Sequence, residues 1–307
     1  MRQPSVSIII PTHSRPHLLP RAVESAKKAG TDVEVIVIDD ASRDETAQVC
    51  ARLDGIKYVR CDRNRKVAGA RNLGILASSA DYISFLDDDD VRLPGTLDIQ
   101  VKALETVPEV GLVYGQVLYG NENCVPTDQV LWPKSCPQGD IFWELFDINF
   151  IPCQTAVFRK SCLFTIGLLD ETIPGVDDWD LWIRIAEIYP VAATEQPFAI
   201  WRTPTPTSGQ GMSDPARLYS LAARAYRRRW LKLPRATAAS TRKREELWNR
   251  FIDRVSDMLI WRASYELTRG HTAYSRKNLL TALRLHPFRA ARPWTFQLLV
   301  SSLLRTQ

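Results

Sequence analysis

Along the first ninety residues the apolar positions fall into short unbroken runs, each closed by a polar cluster. Val6-Ser7-Ile8-Ile9-Ile10 stops at Pro11, with Thr12 and His13 beyond it. Val33 to Ile38 stops at Asp39-Asp40, and Tyr82 to Leu86 stops at Asp87-Asp88-Asp89-Asp90, with a shorter run, Lys57-Tyr58-Val59-Arg60, between them. Short runs rich in Val and Ile read as buried strands. The intervening stretches carry helical spacing. Leu18, Leu19, Ala22, Val23 and Ala26 form one face after Ser14 and Pro16, which are placed to open a helix. Further helices are expected from about Glu45 and over Gly69 to Ser79. Unbroken apolar strands alternating with helices predict a mostly parallel sheet covered on both faces. Ligands of such sheets bind beyond the carboxyl ends of the strands, so the three polar clusters are expected on one rim.

From Val110 to about Arg202 the pattern is mixed. Strands are expected near Leu112-Val113-Tyr114 and Thr155-Ala156-Val157-Phe158, and a helix near Trp179 to Glu187. Thr203 to Asp214, rich in Pro, Gly, Ser and Thr, reads as a loop or lid, and Arg202 just before it reads either as a surface residue ending a strand or as a clamp on a diphosphate when the loop closes. Beyond it Leu247, Phe251, Val255, Met258 and Leu259 share a helical face, and Tyr274 to Leu285 is a further helix. The expected division is an α/β domain over residues 1–212 and a basic helical region over 213–307.

Charge sharpens that division. The net +5 divides into −9 up to Met212 and +14 from Ser213 onward. The basic region, with Arg224, Arg227-Arg228-Arg229-Trp230, Lys232, Arg235 and Arg242-Lys243-Arg244, reads either as a solvated helical face or as a contact for an anionic membrane surface through Trp230, Leu231 and Leu233. No nucleic-acid motif accompanies the charge, so nucleic-acid binding is not expected. Val6 to Ile10 is too short for a signal-peptide core, and no apolar stretch spans a bilayer. The expected location is the cytoplasm, at most peripheral to the inner membrane face. Six cysteines without a C-x-x-C pair argue against zinc and against a disulfide framework.

Four like charges at a strand end cost stability unless something neutralises them. A divalent cation, Mg²⁺ or Mn²⁺, held by carboxylate oxygens and completed by a diphosphate would do so; a solvated acidic turn is the alternative. Asp39-Asp40 suits hydrogen bonds from a base or ribose, or a helix cap through Ser42 or Asp44. Asp177, Asp178 and Asp180 open a helix, where the dipole favours carboxylates and holds their pKa down. An ionised carboxylate there can take the proton of an acceptor hydroxyl.

Ser7-Ile-Ile-Ile-Pro-Thr12, Val37-Ile-Asp-Asp-Ala-Ser42, Gly69-Ala-Arg-Asn-Leu-Gly74, Phe85-Leu-Asp-Asp-Asp-Asp90 and Gly175-Val-Asp-Asp-Trp-Asp-Leu-Trp182 follow one another in an order that resembles the family-2 inverting glycosyltransferases. Phe158-Arg159-Lys160 and Gly167-Leu-Leu-Asp170 fit as well, and the resemblance covers about residues 5 to 202. It implies the GT-A fold, a Rossmann-like mixed α/β sheet flanked by helices, here with an α-helical C-terminal tail. It further implies a nucleotide-diphosphate sugar donor, UDP-linked by preference, and transfer with inversion to a glycan, lipid-linked or other hydroxyl acceptor. Residue by residue, Pro11, Thr12 and His13 would edge the nucleobase pocket, with Arg15 also on the donor side. Asp40 would bind the base, Arg71 the base or diphosphate, and Asp88 the ribose. Asp89, helped by Asp87, would ligate the metal, and Asp178 would be the general base. His13 stands where the family commonly carries Tyr, Ser14 where it carries Asn, Asp177 where Glu is commoner and Thr203 where many members carry His.

Two other functions compete. A non-catalytic sugar-nucleotide-binding or scaffold subunit would use the tail to recruit partners; the intact Asp178 and Asp87–Asp90 argue against it. A nucleotidyltransferase needs a Gly-rich basic loop after the first strand, and Thr12-His13-Ser14-Arg15 is not one.

Overall fold

The computed structural model describes residues 5–203, 205, 214–291 and 293–304. It divides into two compact units, one of residues 1–145 and 149–211, the other of residues 146–148 and 212–307.

The first unit is built on one mixed sheet. Strands β1 (Val6–Thr12), β2 (Val33–Asp39), β3 (Ile56–Arg60) and β4 (Tyr82–Phe85) alternate with helices α1 (Leu19–Lys28), α2 (Thr46–Cys50) and α3 (Lys66–Ala77). Then come β5 (Val91–Arg92), α4 (Thr96–Thr106), β6 (Leu112–Gly120), β7 (Pro126–Trp132), β8 (Val157–Arg159), α5 (Cys162–Ile166), α6 (Asp177–Ile188) and β9 (Val191–Arg202). The order across the sheet is β3-β2-β1-β4-β8-β6-β9-β5, with β7 added at β6. The β3-β2-β1-β4 half is parallel, as the apolar runs predict. Pairing turns antiparallel at β8, which lies between β4 and β6.

All seven residues of β1 are buried. Alternate side chains point to opposite faces. Ile8 and Ile10 join Leu19 and Val23 of α1 and Leu97 and Leu104 of α4 in one core. Ile9 faces α3, where a Cβ on Gly74 would come within 2.3 Å of its Cγ2, so only glycine lets the helix lie this close. One element starts later than its sequence suggests. Ser14 takes a positive φ of 53°, which a helix cannot use, and α1 begins at Leu19 with Pro20 in its first turn.

The second unit contains α7 (Pro215–Arg228), α8 (Pro234–Ala238), α9 (Thr241–Thr268), α10 (Thr272–Leu285), α11 (Pro287–Ala290) and α12 (Pro293–Leu304). Asp214 and Ser240 cap α7 and α9 by accepting the Arg217 and Lys243 amides. Phe146, Tyr226, Trp230 and Phe251 form its aromatic centre, with Tyr226 and Phe251 ring centroids 4.7 Å apart. Trp230 is wholly buried there, and Arg227 stacks over Trp248. The Trp230 indole therefore serves the core, which removes the aromatic contact the sequence suggested there. Among the described residues no helix is long and apolar enough to cross a membrane.

Candidate functional site

The chain runs from β1 outward to β2 and β3, then returns to the other side of β1 as β4. This reversal is a topological switch point beyond the carboxyl ends of β1 and β4, the place where open α/β sheets bind ligands. The polar clusters that end β1, β2 and β4 meet there. The Asp40 amide donates to the Thr12 carbonyl (2.9 Å), and the Thr12 hydroxyl donates to Asp88 (2.6 Å).

The β1 and β2 ends are laced by short-range geometry. The Ser14 amide donates to Ser42 Oγ (2.9 Å), and the Ser42 amide donates to Asp39 (2.8 Å). Ala41 takes a φ of 61°, so both loops turn through backbone that non-glycine residues seldom adopt. Asp39 is fully buried and also accepts the Tyr58 hydroxyl (2.7 Å), so its carboxylate holds the loop. Asp40 accepts the Arg65 amide (2.6 Å). His13 is exposed, and its Nδ1–H donates to the Asp40 carbonyl (2.8 Å), which orients the ring; Pro11 is buried.

The acidic run after β4 has divided roles. Asp88 is fully buried, held by Thr12 and by Arg15, whose Nη2 lies 2.7 Å away. Arg15 also reaches Asp89 at 3.1 Å. Burial, against the pull of Arg15, pushes the Asp88 carboxyl up to about 7. Burial raises Asp89 too, with repulsion from Asp87 next, and the same two causes raise Asp90 well above its ordinary value. Asp87, Asp89 and Asp90 can each turn one carboxylate oxygen to within 4.8 Å of the others. Three hard oxygen donors this close together, two of them with the ionised form disfavoured by burial and repulsion, fit Mg²⁺ or Mn²⁺. Asp90 enters this group through a contact that sequence does not display: it accepts the Arg202 amide (2.9 Å) at the end of β9. The Arg202 side chain donates to the Glu122 carbonyl (2.7 Å). Most of the expected lid, Thr203 to Asp214, lies outside the described residues.

Asp178 sits in the first turn of α6. That helix is fixed from below by aromatic packing, Trp182 lying 5.7 Å from Phe158 and 6.5 Å from Phe85 between ring centroids. The Trp179 indole donates to the Leu145 carbonyl (2.7 Å). Asp178 keeps part of its surface open but lies deep among protein atoms. Burial and then the Asp177 charge, opposed by Arg71, push its carboxyl up to about 7. The expectation that the helix dipole would hold this pKa down is corrected by burial, which outweighs it.

Arg71 connects the two acidic groups. Its Nη1 is 3.0 Å from Asp177 and its Nη2 3.0 Å from Asp87, and the guanidinium lies over Phe85. Asn72, next along α3, exchanges hydrogen bonds with the Leu169 backbone at 3.0 Å, so α3 also clamps the segment leading to α6. Asp177 is 1% exposed, and Arg71 is its charged partner. Arg71→Met leaves that charge buried and unpaired and is expected to cost about 3–5 kcal/mol of stability. Urea unfolding of the variant measures it. A loss below about 1 kcal/mol would mean that Asp177 is compensated elsewhere.

The family model "Glycosyl transferase family 2" matches residues 7–166. An uncharacterized glycosyltransferase of Rickettsia bellii is 30% identical over 193 residues, 61% of this chain and 27% of that protein. An uncharacterized glycosyltransferase of Haemophilus influenzae is 24% identical over 185 residues, 59% of this chain and 62% of that protein. The matches thus span less than two thirds of these relatives' own length, and under a third of the Rickettsia bellii protein. Among solved structures, S. aureus TarS 1–349 in complex with UDP-GlcNAc aligns with a TM-score of 0.62 at 14% identity, over 98% of this chain and 89% of that one. TarS 1–349 in complex with UDP aligns at 0.58 and 15%, over 98% and 88%. At such identity the likeness is one of fold, the GT-A α/β fold with a helical C-terminal region.

Proposed function

The chain belongs to glycosyl transferase family 2, and from that premise we propose that it moves a sugar from a nucleotide-diphosphate donor, UDP-linked by preference, to an acceptor hydroxyl with inversion. The observation that carries this reading is the meeting of two acidic centres at the switch point of the sheet, joined by Arg71. The UDP and UDP-GlcNAc complexes of TarS support a UDP-sugar as the donor class.

In this reading the nucleobase lies beyond β1 and β2, edged by Pro11, Thr12 and His13 and read by Asp40. The ribose lies toward Asp88, and Arg15, partly exposed, faces the diphosphate. Asp89 and Asp87, with Asp90, would hold Mg²⁺ or Mn²⁺, which supplies positive charge where the departing diphosphate gathers negative charge. Asp178 accepts the proton of the attacking hydroxyl, because a neutral hydroxyl is a weak nucleophile. Arg71 holds Asp177, and with it the first turn of α6, against the donor side. Base and leaving group on opposite faces of the anomeric carbon give one in-line displacement, hence inversion. A hexose as the transferred sugar, a growing polysaccharide or lipid-linked glycan as acceptor, and a cytoplasmic position facing the inner membrane complete the reading.

The raised Asp178 carboxyl makes a signed pH prediction. The group works only when ionised, so kcat/KM is expected to rise with pH through about 7 and level off above it. A profile flat from about 5.5 to about 8.5 would remove Asp178 as the base. The reading as a whole is tested by incubating the protein with labelled UDP-sugars and Mn²⁺ and following UDP release with an acceptor panel. The anomeric configuration of any product is then read by NMR. A product retaining the donor configuration would contradict the single displacement.

A further inference from the structure

Helix α12 is inside out. Its buried positions include Thr295 and Ser302, seven residues apart and so on one face, and both are polar. Phe296, Val300 and Leu304 recur every four residues on another face and are 48%, 53% and 72% exposed. Trp294 is 42% exposed, and Phe288 in the preceding α11 is 93% exposed. A helix on a water-facing surface places its apolar stripe inward, whereas among the described residues this stripe is left uncovered.

Charge identifies what covers it. Pro293 to Leu304 contains no ionisable side chain, and along the sequence Arg292 precedes it and Arg305 follows, while Arg289 is paired with Asp257 (2.7 Å) and Asp253 (3.8 Å) of α9. Beyond Glu266 the chain carries seven Lys and Arg residues and no Asp or Glu. An apolar stripe bracketed by cations matches a surface that is apolar within and negative at its rim. Arginines beside such a stripe keep their heads at the charged level while the aromatic and aliphatic groups enter below it. At 1.5 Å per residue twelve residues extend about 18 Å, short of the roughly 30 Å hydrocarbon core, so the helix can lie in the interface but not cross it.

We propose that the outward face of α12, with Phe288 of α11, docks on an anionic lipid bilayer. This differs from the contact suggested by the basic run around Trp230, whose indole is buried. It is also independent of the transfer reading, because its failure leaves the donor site untouched and loss of donor binding leaves it standing.

The test is flotation of the full chain with phosphatidylcholine vesicles, with and without phosphatidylglycerol. The protein is expected to float with the anionic vesicles, less so as salt is raised, and to stay behind with the neutral ones. The triple variant Phe288→Ser, Phe296→Ser, Leu304→Ser is expected to partition at least about tenfold more weakly. Phe164→Ser, which changes an 89% exposed phenylalanine on α5, is the matched control and is expected to bind as the parent does. Circular dichroism establishes that the variants fold, and should the triple variant not, Phe288→Ser alone carries the comparison. Three results would overturn the proposal: no flotation of the folded parent, equal loss in the α5 control, or lipid-free self-association that the triple variant abolishes. The last would make this face an interface between copies.

Discussion

Asp178→Asn is expected to lower sugar transfer by about 10²–10⁴-fold, the range a positioned general base contributes, while nucleotide binding stays within about twofold of the parent. The amide keeps the volume and the hydrogen bond from the Trp179 amide, which Asp178 now accepts at 2.7 Å. It removes only the capacity to take a proton. Asn at this position also ends the repulsion between Asp178 and the fully enclosed Asp177, so the folded protein should not be weakened. The measurement pairs initial rates of UDP release with calorimetric UDP affinity. Near-normal transfer places the base elsewhere. A loss of affinity equal to the loss of rate would instead make Asp178 a donor-binding group.

Asp89→Ala acts at the other end of the site. Removing one of three oxygen donors is expected to weaken Mn²⁺-dependent UDP binding by at least about 100-fold, since even partners one shell out cost 10–100-fold. In EDTA the variant is expected to melt no lower than the parent, because Asp89 is itself raised by burial and by Asp87 and its removal relieves that repulsion. The two readouts separate a lost ligand from a damaged fold. Retained Mn²⁺-dependent affinity would overturn the assignment of Asp89.

The parts of this molecule that are legible in the sequence are those set by local pattern. β1, β2 and β4 are apolar runs buried almost completely, so their ends, and the clusters Thr12-His13, Asp39-Asp40 and Asp87–Asp90, can be placed on one rim without a structure. β9 is different. Its twelve residues alternate poorly between buried and exposed, because its pairing with β6 shifts register on either side of Gln116 and β5 joins it only at Ala199 and Ile200, and only its last dipeptide reads as strand. The tail follows the same division. Leu247, Phe251, Val255 and Leu259 are one buried face of α9, as their spacing predicts, but Met258 is partly exposed.

The chemistry of the site depends on pairings that no local pattern carries. Arg71 and Asp177 are 106 positions apart, and Asp90 and Arg202 are 112 apart. Neither contact could be read from spacing, although the Gly69–Gly74 and Gly175–Trp182 motifs flagged both helices that bring Arg71 and Asp177 together. For a related reason the pKa direction that the sequence predicts at Asp178 is opposite to the one burial imposes. The dipole of α6 is visible in the sequence, whereas the burial of its first turn, with Arg71 of α3 against Asp177, is not. Asp39 shows the same limit: as one of two adjacent strand-end acids it looked equivalent to Asp40, yet Ser42 and Tyr58 consume its carboxylate.

The central claim is a cation-dependent nucleotide site at the carboxyl ends of β1, β2 and β4. Its most direct test is calorimetric titration of the purified chain with UDP in Mn²⁺ and again in EDTA. The account predicts saturable binding near one UDP per chain in Mn²⁺ that is lost in EDTA. Absence of binding to UDP and to every other nucleoside diphosphate tried, in a sample shown to be folded and supplied with Mn²⁺, would contradict it.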